Sequence, residues 1–132
     1  MELERKIASV KSEKLPRAVQ AVIESVKRTE RKFRAAQYEH ALAKYSIYGA
    51  TIKPRNIEVA EQQLNDALLA LSNVVKKHLS HSDIRKYIER GATHVHPGVL
   101  GNKLHFVRLS GKYRKKVYKP ILGSHRIPIY WE

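Results

Sequence analysis

Cations dominate the residues of this chain that could do chemistry. From residue 91 to residue 131 there are eight Lys and Arg and no acid, and the one carboxylate after Glu89 is Glu132. Lys112, Arg114 and Lys116 alternate with Tyr113, Lys115 and Val117, so in an extended strand the first three share a face. Lys103, Arg108 and Lys119 flank them, and His105, Phe106 and Tyr118 add rings. Ammonium and guanidinium groups neutralise phosphates and release counterions, while rings stack on unpaired bases. Lysines on a strand also discourage edge-to-edge pairing, which is the plainer reading of such a stretch. Solubility alone does not ask for a region this long without an acid, so Lys103, Arg108, Lys112, Arg114, Lys115, Lys116 and Lys119 are expected to face a polyanion. A second basic run, Lys27, Arg28, Arg31, Lys32 and Arg34, is relieved only by Glu30. At helical spacing Lys27, Arg31 and Arg34 line one side, suited to a nucleic-acid backbone, an acidic subunit or open solvent.

Other chemistries find less support. There is no Cys, which excludes disulfides, thiolate metal sites and a Cys nucleophile. His78 and His81 are three apart and His94 and His96 two apart, but no carboxylate or thiolate spacing accompanies them, so no metal is expected. A basic sheet bearing His, Arg and Tyr is a surface on which metal-independent ribonucleases act, with His105, Arg114 and His125 as the acid–base and charge-stabilising residues. No phosphate-cradling glycine loop or nucleophile elbow accompanies them. No cofactor and no small-molecule substrate is expected.

The end of the chain is apolar: Ile127, Pro128, Ile129, Tyr130 and Trp131 follow one another. Pro128 disfavours a central strand. The sequence therefore reads as an extended arm whose Ile127, Ile129, Tyr130 and Trp131 dock on a neighbouring subunit, with closure of the chain's own core as the alternative.

Several elements must position these residues. Leu3, Ile7, Val10 and Lys14 fit one face of a short opening helix, which Pro16 ends. From Arg17 to Tyr48 there is neither Gly nor Pro, and Val19, Val22, Ile23, Val26, Phe33 and Ala36 recur close to helical spacing. A helix of about thirty residues is about 45 Å long. Asn56 is an N-cap candidate for a second helix carrying Ile57, Ala60, Leu64, Ala67, Leu68, Leu71, Val74, Val75 and Leu79. A third, short helix runs through Ile84, Tyr87 and Ile88 to Gly91. Beyond it, Thr93 to Val95 reads as a strand. Leu104 to Leu109 and Lys112 to Tyr118 read as a hairpin turning at Ser110-Gly111. The fold class is thus mainly α with a β element (α+β): an antiparallel long-helix hairpin or small bundle over 1–90, a basic β-hairpin over 91–120 and an extended tail over 121–132.

The 132 residues carry a formal net charge of +14, yet 42% are hydrophobic, enough for a buried core. The opening Met1-Glu2-Leu3-Glu4-Arg5 does not read as a signal peptide, and no apolar run spans a bilayer. A cytoplasmic protein, or one inside a particle such as a virion, is expected. The function expected is non-enzymatic: a structural subunit of a nucleic-acid-containing assembly, a phage head–tail junction or capsid-associated protein first, with neighbouring subunits and DNA or RNA as partners. A ribonucleoprotein subunit and a small ribonuclease are the second and third readings.

Overall fold

The computed structural model describes residues 3–45, 55–78, 82–98, 103–113, 116–120 and 123–129. Among the described residues three helices make up more than half: α1 (Arg17–Tyr45), α2 (Ile57–Lys77) and α3 (Ser82–Glu89). The first starts directly after Pro16, whose carbonyl accepts from the amides of Val19 and Gln20. The second starts at Asn56, whose side-chain oxygen accepts from the amides of Glu58 and Val59 at 3.0 and 3.2 Å. These are the two helices expected from periodicity, and they pack antiparallel. Leu64, Leu68, Leu71 and Val75 of α2 are buried with Val19, Ile23 and Val26 of α1, while Val22 and Phe33 are half-buried at the margin. Among the described residues no helix is long and apolar enough to cross a membrane.

Four strands form one antiparallel sheet: β1 (Glu4–Lys11), β2 (His94–His96), β3 (Lys103–Leu109) and β4 (Ile127–Pro128), in the order β1-β3-β2-β4. The chain leaves β1, passes through all three helices, returns as β2, and then lays β3 between the two. Three expectations are corrected here. Residues 4–11 are a strand and not a helix, because they pair with β3 along its whole length, from Glu4 opposite Leu109 to Lys11 opposite Lys103. The C-terminal hairpin is β2–β3, whereas Gly111–Tyr113 is a 3-10 turn and Tyr118 makes only an isolated bridge to Arg126. The partners of β3 on both edges are already taken, so no strand over 112–118 is needed. Residues on both sides of Gly91 therefore share one sheet and one core.

The third correction is the tail. Ile127 and Ile129 are both fully buried in the chain's own core, where Ile127 stands opposite Val95 of β2. The Ser72 hydroxyl of α2 donates to the Pro128 carbonyl at 2.9 Å, and the Ile129 amide donates to Thr93. Pro128 is tolerated because β4 is an edge strand. Both side chains are used in the chain's own core, the alternative that the sequence left open. Tyr130 and Trp131 lie outside the described residues.

The sheet has two faces. Val10, Val95, Leu104, Phe106 and Ile127 point to the helices and form the shared core with them. The opposite, outer face carries His94, His96, His105, Val107 and Leu109, with Lys6, Ser9, Lys11 and Lys103 beside them by register. The segment after β3 folds back over part of that face: His94 bonds the Lys116 carbonyl through Nε2, and Ser124 meets His96.

Candidate nucleic-acid interface

The end of the C-terminal basic run reaches the basic run of α1, far from it in sequence. Lys119 places its ammonium over the Phe33 ring of α1, 5.6 Å from the centroid. His125 is bound twice to Glu30 of α1: its amide donates to Oε1 at 3.3 Å and its Nδ1 lies 3.0 Å from the same oxygen. The other Glu30 oxygen accepts from Arg34 at 3.3 Å. Glu30 is the one acid of the α1 run, and it is spent on holding the C-terminal segment against the helix. Burial alone would raise its pKa, but the two bonds from His125, with the charges of His125 and Arg34, bring it below the usual value.

Around that joint Arg31 and Lys119 are exposed, and Arg34 points outward with 56% of its side chain accessible. Lys27 is half-buried, and its pKa is lowered by that burial and by the neighbouring Arg31 and Arg34, with Glu30 opposing. Burial is the main cause, so the shift marks a partly desolvated ammonium beside Glu30. Lys112 and Lys116 are exposed on the segment that leads to Lys119. The strand face expected for them is not formed at Lys112, which lies in the 3-10 turn Gly111–Tyr113. Lys112 lies over the Tyr113 ring at 5.0 Å, and Tyr113 packs against Tyr118. Arg114 and Lys115 lie outside the described residues.

Lys103 and Arg108 are elsewhere, at the two ends of β3. Lys103 stands opposite Lys11 and Arg108 opposite Arg5, so each expected contact is doubled by a residue of β1 that sequence reasoning placed in a helix and did not single out. Like charges directly opposite in an antiparallel pair are unfavourable. Arg108 lies on the helix side of the sheet, with its guanidinium where a Cβ at Gly91 would be. Gly91 has φ +99° and closes α3, a backbone conformation that favours glycine.

The histidines divide into separate roles. His125 belongs to Glu30, whereas His96 and His105 stack on each other at 4.7 Å between centroids. His94 lies on the same outer face and bonds Thr93 Oγ1 and the Lys116 carbonyl. Burial lowers the pKa of all three, bringing His96 to about 3 with help from Arg126 and His105. His105 and His125, the acid–base pair of the ribonuclease reading, are thus held by different partners. Among the described residues no group of His, Asp and Glu is arranged to hold a metal ion. No family model matches the chain, and neither a curated protein nor a solved structure matches it.

Proposed function

We propose that this protein is a non-enzymatic subunit of a nucleic-acid-containing particle, and that it binds the sugar–phosphate backbone along a ridge formed by Lys27, Arg31 and Arg34 of α1 with Lys112, Lys116 and Lys119. The observation that carries the reading is the joint at Phe33 and Glu30, where Lys119 and His125 meet α1. It brings Lys119 to the basic run of α1, some eighty residues away along the chain, which supports reading the two segments as one surface. Tyr113 and Tyr118 lie beside Lys112 and offer rings to unpaired bases. A virion and a ribonucleoprotein both use such a surface. The docking arm that favoured the virion is no longer an argument, because Ile127 and Ile129 are core residues.

Fluorescence anisotropy with labelled single-stranded and duplex oligonucleotides at several salt concentrations tests the ridge. Each phosphate contact contributes about 0.7–0.9 to the slope of log affinity against log salt. Replacing Arg31, Arg34 and Lys119 with Ala should flatten that slope by about two to three units and weaken all sequences alike. An unchanged slope sinks the ridge.

A further inference from the structure

The outer face of the sheet holds a second concentration of cations that the ridge does not use. Ser9 and His105 stand opposite each other on β1 and β3, and the next pair along is Lys11 opposite Lys103. Lys6 lies on the same face, opposite Val107. Lys6, Lys11 and Lys103 are all exposed, and none has a carboxylate within ion-pair distance among the described residues. The nearest acid from β1, Glu4, is already taken: Arg126 grips it with two bonds of 2.7 and 3.2 Å.

At the centre sits His105. Its Nδ1 is 2.7 Å from the Ser9 hydroxyl, and its ring stacks on the buried His96. His96 is held in turn by Ser124 at 3.2 Å, whose hydroxyl also accepts the Gly98 amide. The remaining edge of the His105 ring faces Gly98, where a Cβ would come within 2.7 Å of Nε2. Gly98 has φ +70°, so both backbone and space exclude a side chain there. The result is an imidazole held at Nδ1 by Ser9 and closed by Gly98 along its other edge, on the face of the sheet that carries Lys6, Lys11 and Lys103.

We propose that this face is an anion site for one phosphate group, held by Lys6, Lys11 and Lys103 beside His105, whose charge balance reports on it. The opposed Lys11 and Lys103 repel each other in the empty face, and an anion between them removes that repulsion. Burial lowers the His105 pKa, and Lys6 from the adjoining strand, Lys103 from its own and Arg126 from the C-terminal segment lower it further, with Glu4 in opposition. A bound dianion reverses that balance and favours the imidazolium. The phosphate can come from a nucleic-acid backbone or from free phosphate and nucleotides.

NMR of the His105 ring through a pH titration separates these cases. The free protein is compared with protein in inorganic phosphate, in a nucleoside monophosphate and in a short single-stranded oligonucleotide. We expect the His105 pKa to rise by about half a unit or more with at least one of them. A response to inorganic phosphate identifies a site for free phosphate groups; a response to the oligonucleotide alone identifies the backbone. A joint Lys6→Ala, Lys11→Ala and Lys103→Ala variant, altered only at exposed side chains, should keep the amide spectrum of the fold and lose the shift. No movement of His105 with any of the three ligands overturns the proposal, as does a shift that survives the triple lysine variant. The ridge is read separately in the same spectra from Arg31, Arg34 and Lys119, so either site can fail without the other.

Discussion

His96 is the residue at which burial has the largest electrostatic consequence. Its ring is stacked on His105, bonded to Ser124 and desolvated, with Arg126 and His105 adding to the effect, so its pKa falls from 6.5 to about 3. Between those two values the unfolded chain binds a proton that the folded chain refuses. Stability therefore rises with pH across that window and is lost as pH falls below about 6.5, at up to roughly 1.4 kcal/mol per pH unit for this one group. His94 and His105 are shifted in the same direction and steepen the loss. Urea unfolding at a series of pH values should show it, and His96→Gln should flatten the profile between pH 6.5 and 4 even where it lowers stability overall. Glu30 acts in a lower range: its depressed pKa stabilises the fold above the unfolded value of 4.5 and stops doing so as pH falls through the folded one. Its side chain is only 6% accessible and supports both His125 and Arg34. Glu30→Ala should cost roughly 1–3 kcal/mol, because it leaves His125 without its partner in a partly buried place. A change within a few tenths of a kcal/mol in chemical denaturation counts against Glu30 as the clasp between α1 and the C-terminal segment.

At the scale of elements, α2 is the central support. Its buried stripe from Ala60 to Val75 meets α1 on one side and, through Ser72, the β4 edge of the sheet on the other. Leu68, 1% exposed, should cost roughly 2–5 kcal/mol when cut to Ala, measured as a shift in denaturation midpoint. Asn56→Ala removes the cap at the other end of the same helix and should cost about 1 kcal/mol, with the loss concentrated in the first turn. The strand β4 is short but not dispensable. Removing residues 127–132 takes Ile127 and Ile129 out of the core, each worth about 1.5–3 kcal/mol of burial, and leaves the Ser72 hydroxyl without its acceptor. The truncated protein should lose cooperative thermal unfolding. A truncated chain that melts as the full one does would restore the docking arm.

The whole molecule is governed by its charge of +14. Such an excess opposes the compact state through self-repulsion at low ionic strength. The Arg5–Arg108 and Lys11–Lys103 pairs place part of that repulsion inside the sheet itself. Added salt should therefore raise the melting temperature from its low-salt value, in contrast to a protein held by ion pairs, and phosphate should do so more strongly than chloride at equal ionic strength. Equal effects of the two anions would reduce this to general screening.

The local signals were enough for α1 and α2. Their periodicity repeats over several turns, Asn56 and Pro16 mark the starts, and each helix satisfies its own backbone, so nothing distant can change the outcome. The charge asymmetry and the absence of Cys are likewise properties of the chain alone. Tertiary structure decided the rest. Ile7 and Val10 fit helical spacing and yet both pack against the core from a strand, because a bulge between Lys6 and Ala8 breaks the alternation. Whether such a segment is helix or strand depends on β3, about a hundred residues away in sequence. The same holds for Ile127 and Ile129, whose apolar character demands burial but does not say against what. It holds for Ser9, Lys6 and Lys11, which acquire meaning only when the ladder sets them beside His105. A helix is specified by neighbours three and four residues away, whereas a sheet and the sites on its face are specified by partners that only folding brings together.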